Sequence, residues 1–198
     1  MKSRNSVERY FNQKEFSILD IVLIIIAFGS LVIATFVQGG GPIGLPILML
    51  SIIVICVYRS FKIKDSEIDQ TLKRIIQDNK IECSENSIQC YELKGMLTKR
   101  RKDGKYISSS YYITNIIFSS EETLFHIYVI DLIKQSVEAV THSTKCTEKI
   151  TLIEEKIKTN SGLAHVAHLK IDDAFVIPVT INEYITSQLV QKICEIHK

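Results

Sequence analysis

The sequence predicts a membrane-anchored, mainly β protein. An N-terminal two-helix transmembrane hairpin precedes a compact antiparallel β-barrel of about eight strands with a C-terminal helix. Three observations support this prediction: two adjacent apolar runs near the start, alternation of apolar and polar residues from about Lys80 onward, and a final apolar stripe at helical spacing. The predicted organisation is an arm at 1–16, the hairpin at 17–58, an amphipathic linker helix at 59–78 and the barrel at 79–198.

The hairpin prediction comes from two apolar runs, 21–37 and 43–58, which flank a glycine-rich loop without any charge between residues 21 and 58. A bilayer core of about 30 Å needs roughly 20 helical residues. The first run meets that length with Ile18 and Leu19, and the second approaches it if flanking basic side chains snorkel. A hairpin buried in a soluble helical domain and a cleaved signal peptide are the alternatives.

Basic residues flank the hairpin on both sides, and none lies in its loop. The positive-inside rule then predicts two spans with both termini in the cytoplasm. Asp20 would mark the cytoplasmic boundary of the first span. Residues 59–78 carry apolar side chains at helical spacing: Ile68, Leu72, Ile75 and Ile76.

The β region begins with period-two alternation at Ile81-Cys83, Ile88-Cys90, Leu93 and from Met96 onward. A hairpin signal, Asp103-Gly104, then precedes one long strand at 106–118. Later strands are predicted at 123–130, 136–141, 148–159, 163–171 and 175–180, with turns at 160–162 and at Asp172-Asp173. Consecutive antiparallel strands close naturally as an up-and-down barrel, which removes exposed edges. A pleckstrin-like sandwich capped by a helix is the main alternative.

The final helix has a start signal, because Thr180 and Glu183 form a possible capping box after Pro178. Its apolar stripe comprises Ile181, Ile185, Leu189, Ile193 and Ile196. Such a helix can plug one end of a barrel or lie across an open sheet.

Catalysis has no support in the sequence. His165 and His168 are three residues apart, so on a strand they point to opposite faces and do not form a metal-ligand pair. Adjacent acidic residues diverge in the same way, and no glycine-rich phosphate loop ends in lysine. We therefore expect no enzyme, no catalytic residues, no metal and no cofactor. The nearly balanced charge also argues against DNA or RNA as a partner.

Positive charge and aromatic rings concentrate around the 103–104 turn, with basic residues at 99–102 and 105 and tyrosines at 106, 111 and 112. Guanidinium groups hold phosphate oxygens, and tyrosine rings stack on bases. The predicted ligand-binding residues are Arg100, Arg101, Tyr106, Ser108, Tyr112 and Thr114. The alternative is a solvated basic turn that leans on anionic lipid.

Two spans followed by a β-strand-rich domain resemble the two-transmembrane β-rich effectors of bacterial CBASS anti-phage systems. Residues 161–173, which include the late predicted strand and the Asp172-Asp173 turn, are similar to the late strands of those barrels. The resemblance implies a sensor for a cyclic oligonucleotide, with a cyclic dinucleotide as the first candidate, made by a CD-NTase-type synthase.

The same resemblance implies an anti-phage effector in the bacterial inner membrane. Ligand binding would drive self-association into oligomers that disrupt the lipid bilayer and kill the infected cell. Gly29, Ser30, Ala34 and Thr35 would provide a small-residue face for close helix packing. The alternative function is a membrane-anchored pleckstrin-like or lipocalin-like binding module that regulates a membrane partner.

Overall fold

Five helices and nine strands lie in the part of the chain that the computed structural model describes, residues 4–13, 18–36, 41–60, 62–101, 103–171, 175–179 and 184–197. The helices are α1 (Arg4–Asn12), α2 (Ile18–Phe36), α3 (Gly41–Ser60), α4 (Asp65–Asp78) and α5 (Tyr184–Ile196). The strands are β1 (Ser87–Glu92), β2 (Thr98–Arg100), β3 (Tyr106–Ser108), β4 (Ser110–Phe118), β5 (Glu122–Asp131), β6 (Ser136–Lys145), β7 (Thr151–Thr159), β8 (Gly162–Lys170) and β9 (Val176–Val179).

The chain divides into two compact units. One consists of Asn12–Lys64 and contains α2 and α3, and the other combines Met1–Phe11 with Asp65–Lys198. The amino-terminal helix α1 and helix α4 therefore belong to the same unit as the strands.

Helices α2 and α3 approach closely at Gly44. A Cβ atom added to Gly44 would lie 2.5 Å from the Ser30 carbonyl oxygen and 2.7 Å from the Ala34 backbone nitrogen. Small residues permit this kind of backbone approach. Ser30 is buried, and its hydroxyl donates to the Ala27 carbonyl at 2.8 Å, so it leaves no unsatisfied donor at the contact.

Within the described residues, no helix combines the length and the apolar character needed to cross a membrane. The apolar part of α2 between Asp20 and Phe36 has about 16 residues, roughly 24 Å, against a bilayer core of about 30 Å. Helix α3 begins at Gly41-Pro42, contains Pro46 and ends at Arg59-Ser60, so its apolar part is similarly short. This finding overturns the expected two-span transmembrane hairpin, its inner-membrane location and the cytoplasmic placement of both termini.

The strands form three open antiparallel sheets in place of the predicted closed barrel. Their orders are β1-β4-β5-β6, β2-β3 and β7-β8-β9. Strand β1 lies beside β9, which brings the two larger sheets together, whereas β6 and β7 are both edge strands.

The C-terminal helix explains why the barrel prediction is wrong. Leu189, Val190 and Ile193 of α5 join one buried cluster with residues of both larger sheets, including Phe125 and Leu169. A helix in that position fills the space between the sheets, so the apolar faces are covered without closure of the β6 and β7 edges. The possible capping box at Thr180 and Glu183 and the turn at Asp172-Asp173 lie outside the described residues.

After α5 the chain is held by His197, which is buried. Its Nε2 atom lies 2.8 Å from the Thr123 hydroxyl, and its Nδ1 atom lies 3.0 Å from the Glu148 carbonyl oxygen. A carbonyl oxygen only accepts, so Nδ1 carries a proton and donates to Glu148. These two bonds tie the end of the chain to β5 and to the β6–β7 connection.

The long strand predicted at 106–118 is interrupted at Ser109. The Ser108 hydroxyl accepts from the Ser110 backbone nitrogen at 3.1 Å and donates to the Ser110 carbonyl at 2.7 Å. Local bonds of this kind compete with the sheet hydrogen bonds. Strand β3 therefore pairs with β2, while β4 pairs with β1 and β5.

Candidate functional site at the basic hairpin

The basic residues lie on the β2–β3 hairpin, and the turn forms at the Asp-Gly pair. Gly104 has a φ of +84° and its nitrogen donates to the Arg101 carbonyl at 3.0 Å, while the Arg101 nitrogen donates to the Lys105 carbonyl at 2.8 Å. Asp103 accepts from the Lys105 nitrogen at 3.0 Å. Since a positive φ suits glycine, the sequence dictates this turn and hence the clustering of the cations.

Arg101 is paired within the molecule. Its guanidinium donates through Nη2 to Asp69 of α4, and only 16% of its side chain is exposed. Burial would by itself lower the pKa of Arg101, but the hydrogen bond and charge of Asp69 raise that pKa above its ordinary value. Its Nε atom is buried and has no hydrogen-bond partner among the described residues.

Lys99 holds helix α1 through Tyr10. Its ammonium donates to the Tyr10 carbonyl at 3.1 Å and lies 4.0 Å from the centroid of the Tyr10 ring, within cation–π range. The buried Tyr10 hydroxyl donates to Asp65 of α4 at 2.6 Å. Burial and the Asp65 contact raise the pKa of Tyr10, which keeps the hydroxyl protonated as a donor.

The outward-facing part of the hairpin is Arg100 with Tyr106. Arg100 is exposed, donates through Nε to the Gly104 carbonyl at 3.3 Å and lies 5.8 Å from the centroid of the Tyr106 ring. Tyr106 donates to the Leu163 carbonyl at 3.0 Å, which fixes the ring against the β7–β8 turn. The two residues form a cation beside a positioned aromatic face.

The other predicted binding residues lie apart from this pair in the strand order. Ser108 is buried and bonded to Ser110, and Thr114 is buried with no hydrogen-bond partner for its hydroxyl among the described residues. Tyr112 is half-buried on β4. Because of the break at Ser109, Tyr112 and Thr114 belong to a different sheet from Arg100 and Tyr106.

Acidic side chains surround Tyr112. Burial, followed by the charges of Glu92 and Glu138, raises the pKa of its hydroxyl. Glu92 also lies 3.3 Å from Nε2 of the buried His168, and Glu155 lies 3.9 Å from Nδ1 of the same ring. Such a setting disfavours phosphate near Tyr112.

A cluster joining β1, β7 and β8 was missed by sequence reasoning. It consists of Glu92, Glu155, His168 and Lys94, and the Lys94 ammonium lies 2.8 Å from Glu155. This contact lowers the pKa of Glu155 and raises that of Lys94. A sheet-to-sheet contact between residues 76 positions apart has no local signal in one sequence.

Comparisons with protein-family models, curated proteins and solved structures each return no significant match. Functional assignment therefore depends on the geometry of the hairpin.

Stability at alkaline pH tests the burial of Tyr91 on β1. Burial raises the pKa of Tyr91 to about 12, with Arg101 opposing the shift, so the folded state binds its phenolic proton more tightly than the unfolded chain. This contribution is complete below about pH 10 and is lost as the pH rises towards 12. In urea unfolding at several pH values, Tyr91→Phe should lessen this alkaline loss by about 1–2 kcal/mol. If Tyr91→Phe left the pH dependence of stability unchanged, the Tyr91 phenol would not be the source of the alkaline loss.

Proposed function

We propose that this chain is an effector of bacterial anti-phage defence that senses a cyclic oligonucleotide at its basic hairpin. In this proposal, the hairpin recognises the ligand, and the α2–α3 unit carries the response by self-association. A CD-NTase-type synthase would supply the ligand. The order of elements, the apolar helices α2 and α3 followed by a strand-rich unit, supports the biological setting, and the hairpin geometry supports the ligand class.

The observation that carries the proposal is a run of cations that begins on β2 and continues into the turn, beside a tyrosine ring fixed by its hydrogen bond to Leu163. Lys99, Arg100 and Arg101 are consecutive, and Arg100 is exposed next to Tyr106. A cyclic oligonucleotide offers phosphates to the guanidinium and a base to the ring. Tyr112 and Thr114 are less suited to phosphate, because acidic residues lie near Tyr112 and the Thr114 side chain is buried.

Self-association is proposed for the α2–α3 unit because it exposes many large apolar side chains. Examples are Phe28 at 69%, Phe36 at 84% and Leu50 at 63% exposure. Contiguous apolar surface of this kind marks an interaction site in proteins. We take the partner to be a second copy of this chain.

The binding test uses the full-length chain and a panel of cyclic dinucleotides and cyclic trinucleotides in isothermal titration calorimetry. We expect at least one to bind, and Arg100→Ala to weaken its affinity about 10-fold or more, the loss typical of a charge-assisted hydrogen bond. Lys149→Ala in the β6–β7 connection is the matched control, because it removes the same charge from an exposed position at the end of β7 opposite the β7–β8 turn that Tyr106 contacts. Titration with linear dinucleotides tests whether the site distinguishes cyclic from linear ligands.

Two outcomes would overturn the proposal: absence of binding by every member of the panel, or equal losses of affinity in Arg100→Ala and Lys149→Ala. Light scattering with and without the bound ligand tests the response. If ligand bound without any increase in the molecular mass of the protein, ligand-driven self-association would be refuted.

The second candidate is a pleckstrin-like module that binds a regulatory partner. Two open sheets sealed by α5 favour it, since this arrangement leaves the edges β6 and β7 available. Under this alternative, no cyclic oligonucleotide would bind the chain in the same titrations.

A further inference from the structure

We infer that helices α1 and α4 act as an internal competitor of the ligand: Asp69 and the Tyr10 carbonyl occupy Arg101 and Lys99, and a phosphate must displace them. This inference rests on the proposed function and names the regulation of the same site. The chain is therefore expected to stay unresponsive while the helices bind these cations, and to respond once a ligand binds them instead.

Two cations of the hairpin are bound by the helices. Lys99 donates to the Tyr10 carbonyl of α1, and Arg101 donates to Asp69 of α4. Arg100, which lies between them, is exposed, and its contacts are with the Gly104 carbonyl and the Tyr106 ring of the same hairpin. A ligand that reached Arg100 would meet the neighbouring cations already hydrogen-bonded.

A phosphate would replace the Asp69 carboxylate at the Arg101 guanidinium. The Asp69–Arg101 pair uses Nη2, and the buried Nε of Arg101 has no hydrogen-bond partner among the described residues. A phosphate that binds bidentately satisfies two guanidinium donors in parallel. Exchange of Asp69 for phosphate would therefore pair a buried donor that the internal contact leaves unused.

The residue Tyr10 connects the hairpin to both helices. Tyr10 is fully buried, its carbonyl accepts from Lys99, and its hydroxyl donates to Asp65 at the start of α4. Loss of the Lys99 contact would also remove the ammonium from the Tyr10 ring. The contacts of α1 and α4 with the hairpin thus share one group of side chains, and their release is expected to be coupled.

The internal contacts are expected to weaken ligand binding. When only a fraction of molecules has free cations, the apparent dissociation constant of the ligand equals its intrinsic value divided by that fraction. Weakening the internal contact must then tighten ligand binding, whereas a purely structural role of Asp69 would weaken binding or leave it unchanged. The direction of the change in affinity separates the two roles.

The experiment uses the full-length chain with Asp69→Asn, and Asp78→Asn as the matched control. Asp78 ends the same helix, is exposed and carries the same charge. The probes are inorganic pyrophosphate and the cyclic dinucleotide panel, in calorimetry and in hydrogen–deuterium exchange of residues 4–12. We expect Asp69→Asn to tighten binding about 10-fold, an effect in the range typical of coupled equilibria. Wild-type α1 should also exchange faster once ligand is bound.

Each outcome decides between the two claims. If the ligand binds wild type and Asp69→Asn equally and α1 exchange is unaltered, the internal competition is refuted while the proposed function stands. If neither probe binds any variant, the proposed function fails and the competition fails with it. If Asp78→Asn tightens binding as much as Asp69→Asn, the effect is general electrostatics, and the specific contact is refuted.

Discussion

Gly44→Ala is expected to force α2 and α3 apart at their closest approach. The added methyl would lie 2.5 Å from the Ser30 carbonyl oxygen, and the opposing atoms include backbone that cannot rotate away. Overpacking of this kind costs about 1–3 kcal/mol, and more where the backbone must move. The helix-propensity gain of alanine over glycine, about 1 kcal/mol, offsets only part of that cost. Faster hydrogen–deuterium exchange in both helices would show the separation.

Gly29→Ala provides the matched control on α2. Nothing lies within 4 Å of a Cβ atom added at Gly29, so only the propensity gain should remain. We expect slower exchange in α2 and a gain of roughly 1 kcal/mol in the free energy of unfolding. If both alanine variants behaved alike, the close approach at Gly44 would be refuted.

Ile193→Ala is expected to destabilise the strand-containing unit by about 2–5 kcal/mol. Ile193 is fully buried on α5, within the cluster that includes residues of both larger sheets. Its truncation leaves a cavity where the helix covers the core. Urea unfolding followed by circular dichroism measures the loss.

Ile196→Ala is the control on the same helix, because that side chain is 36% exposed. A change of less than about 1 kcal/mol is expected there. Equal losses at both positions would mean that α5 is stabilised by its own helicity and does not seal the core.

The sequence located most strands because turn chemistry and alternation are local. The Asp103-Gly104 turn and the strands near 123–130 and 163–171 lie where these signals predicted. The break at Ser109 was missed, since a serine hydroxyl that bonds backbone leaves the apolar alternation unchanged. Alternation also says nothing about which edges pair, so the sandwich and the barrel were equally compatible with it.

The hydropathy of residues 17–58 predicted two helices, and α2 and α3 occupy those positions. The prediction that these helices span a membrane was wrong, because neither is long and apolar enough. Asp20 shortens the apolar part of α2, and the start at Gly41-Pro42 shortens that of α3. In the candidate site, the basic hairpin was visible in the sequence, but its internal partners were not. Asp69 and Tyr10 lie 32 and 89 residues from the cations they contact, beyond any local pattern.

The Tyr10 hydroxyl donates to the Asp65 carboxylate at 2.6 Å, although the two residues are 55 positions apart in the chain. Residues 12–64 are consequently an insertion within an otherwise continuous module, with both ends of the inserted segment meeting at one point. Truncation from the amino terminus would remove α1 and damage the module that it was meant to isolate. Excision of the insertion and religation through a short glycine-serine bridge would preserve Tyr10 and leave the remainder intact.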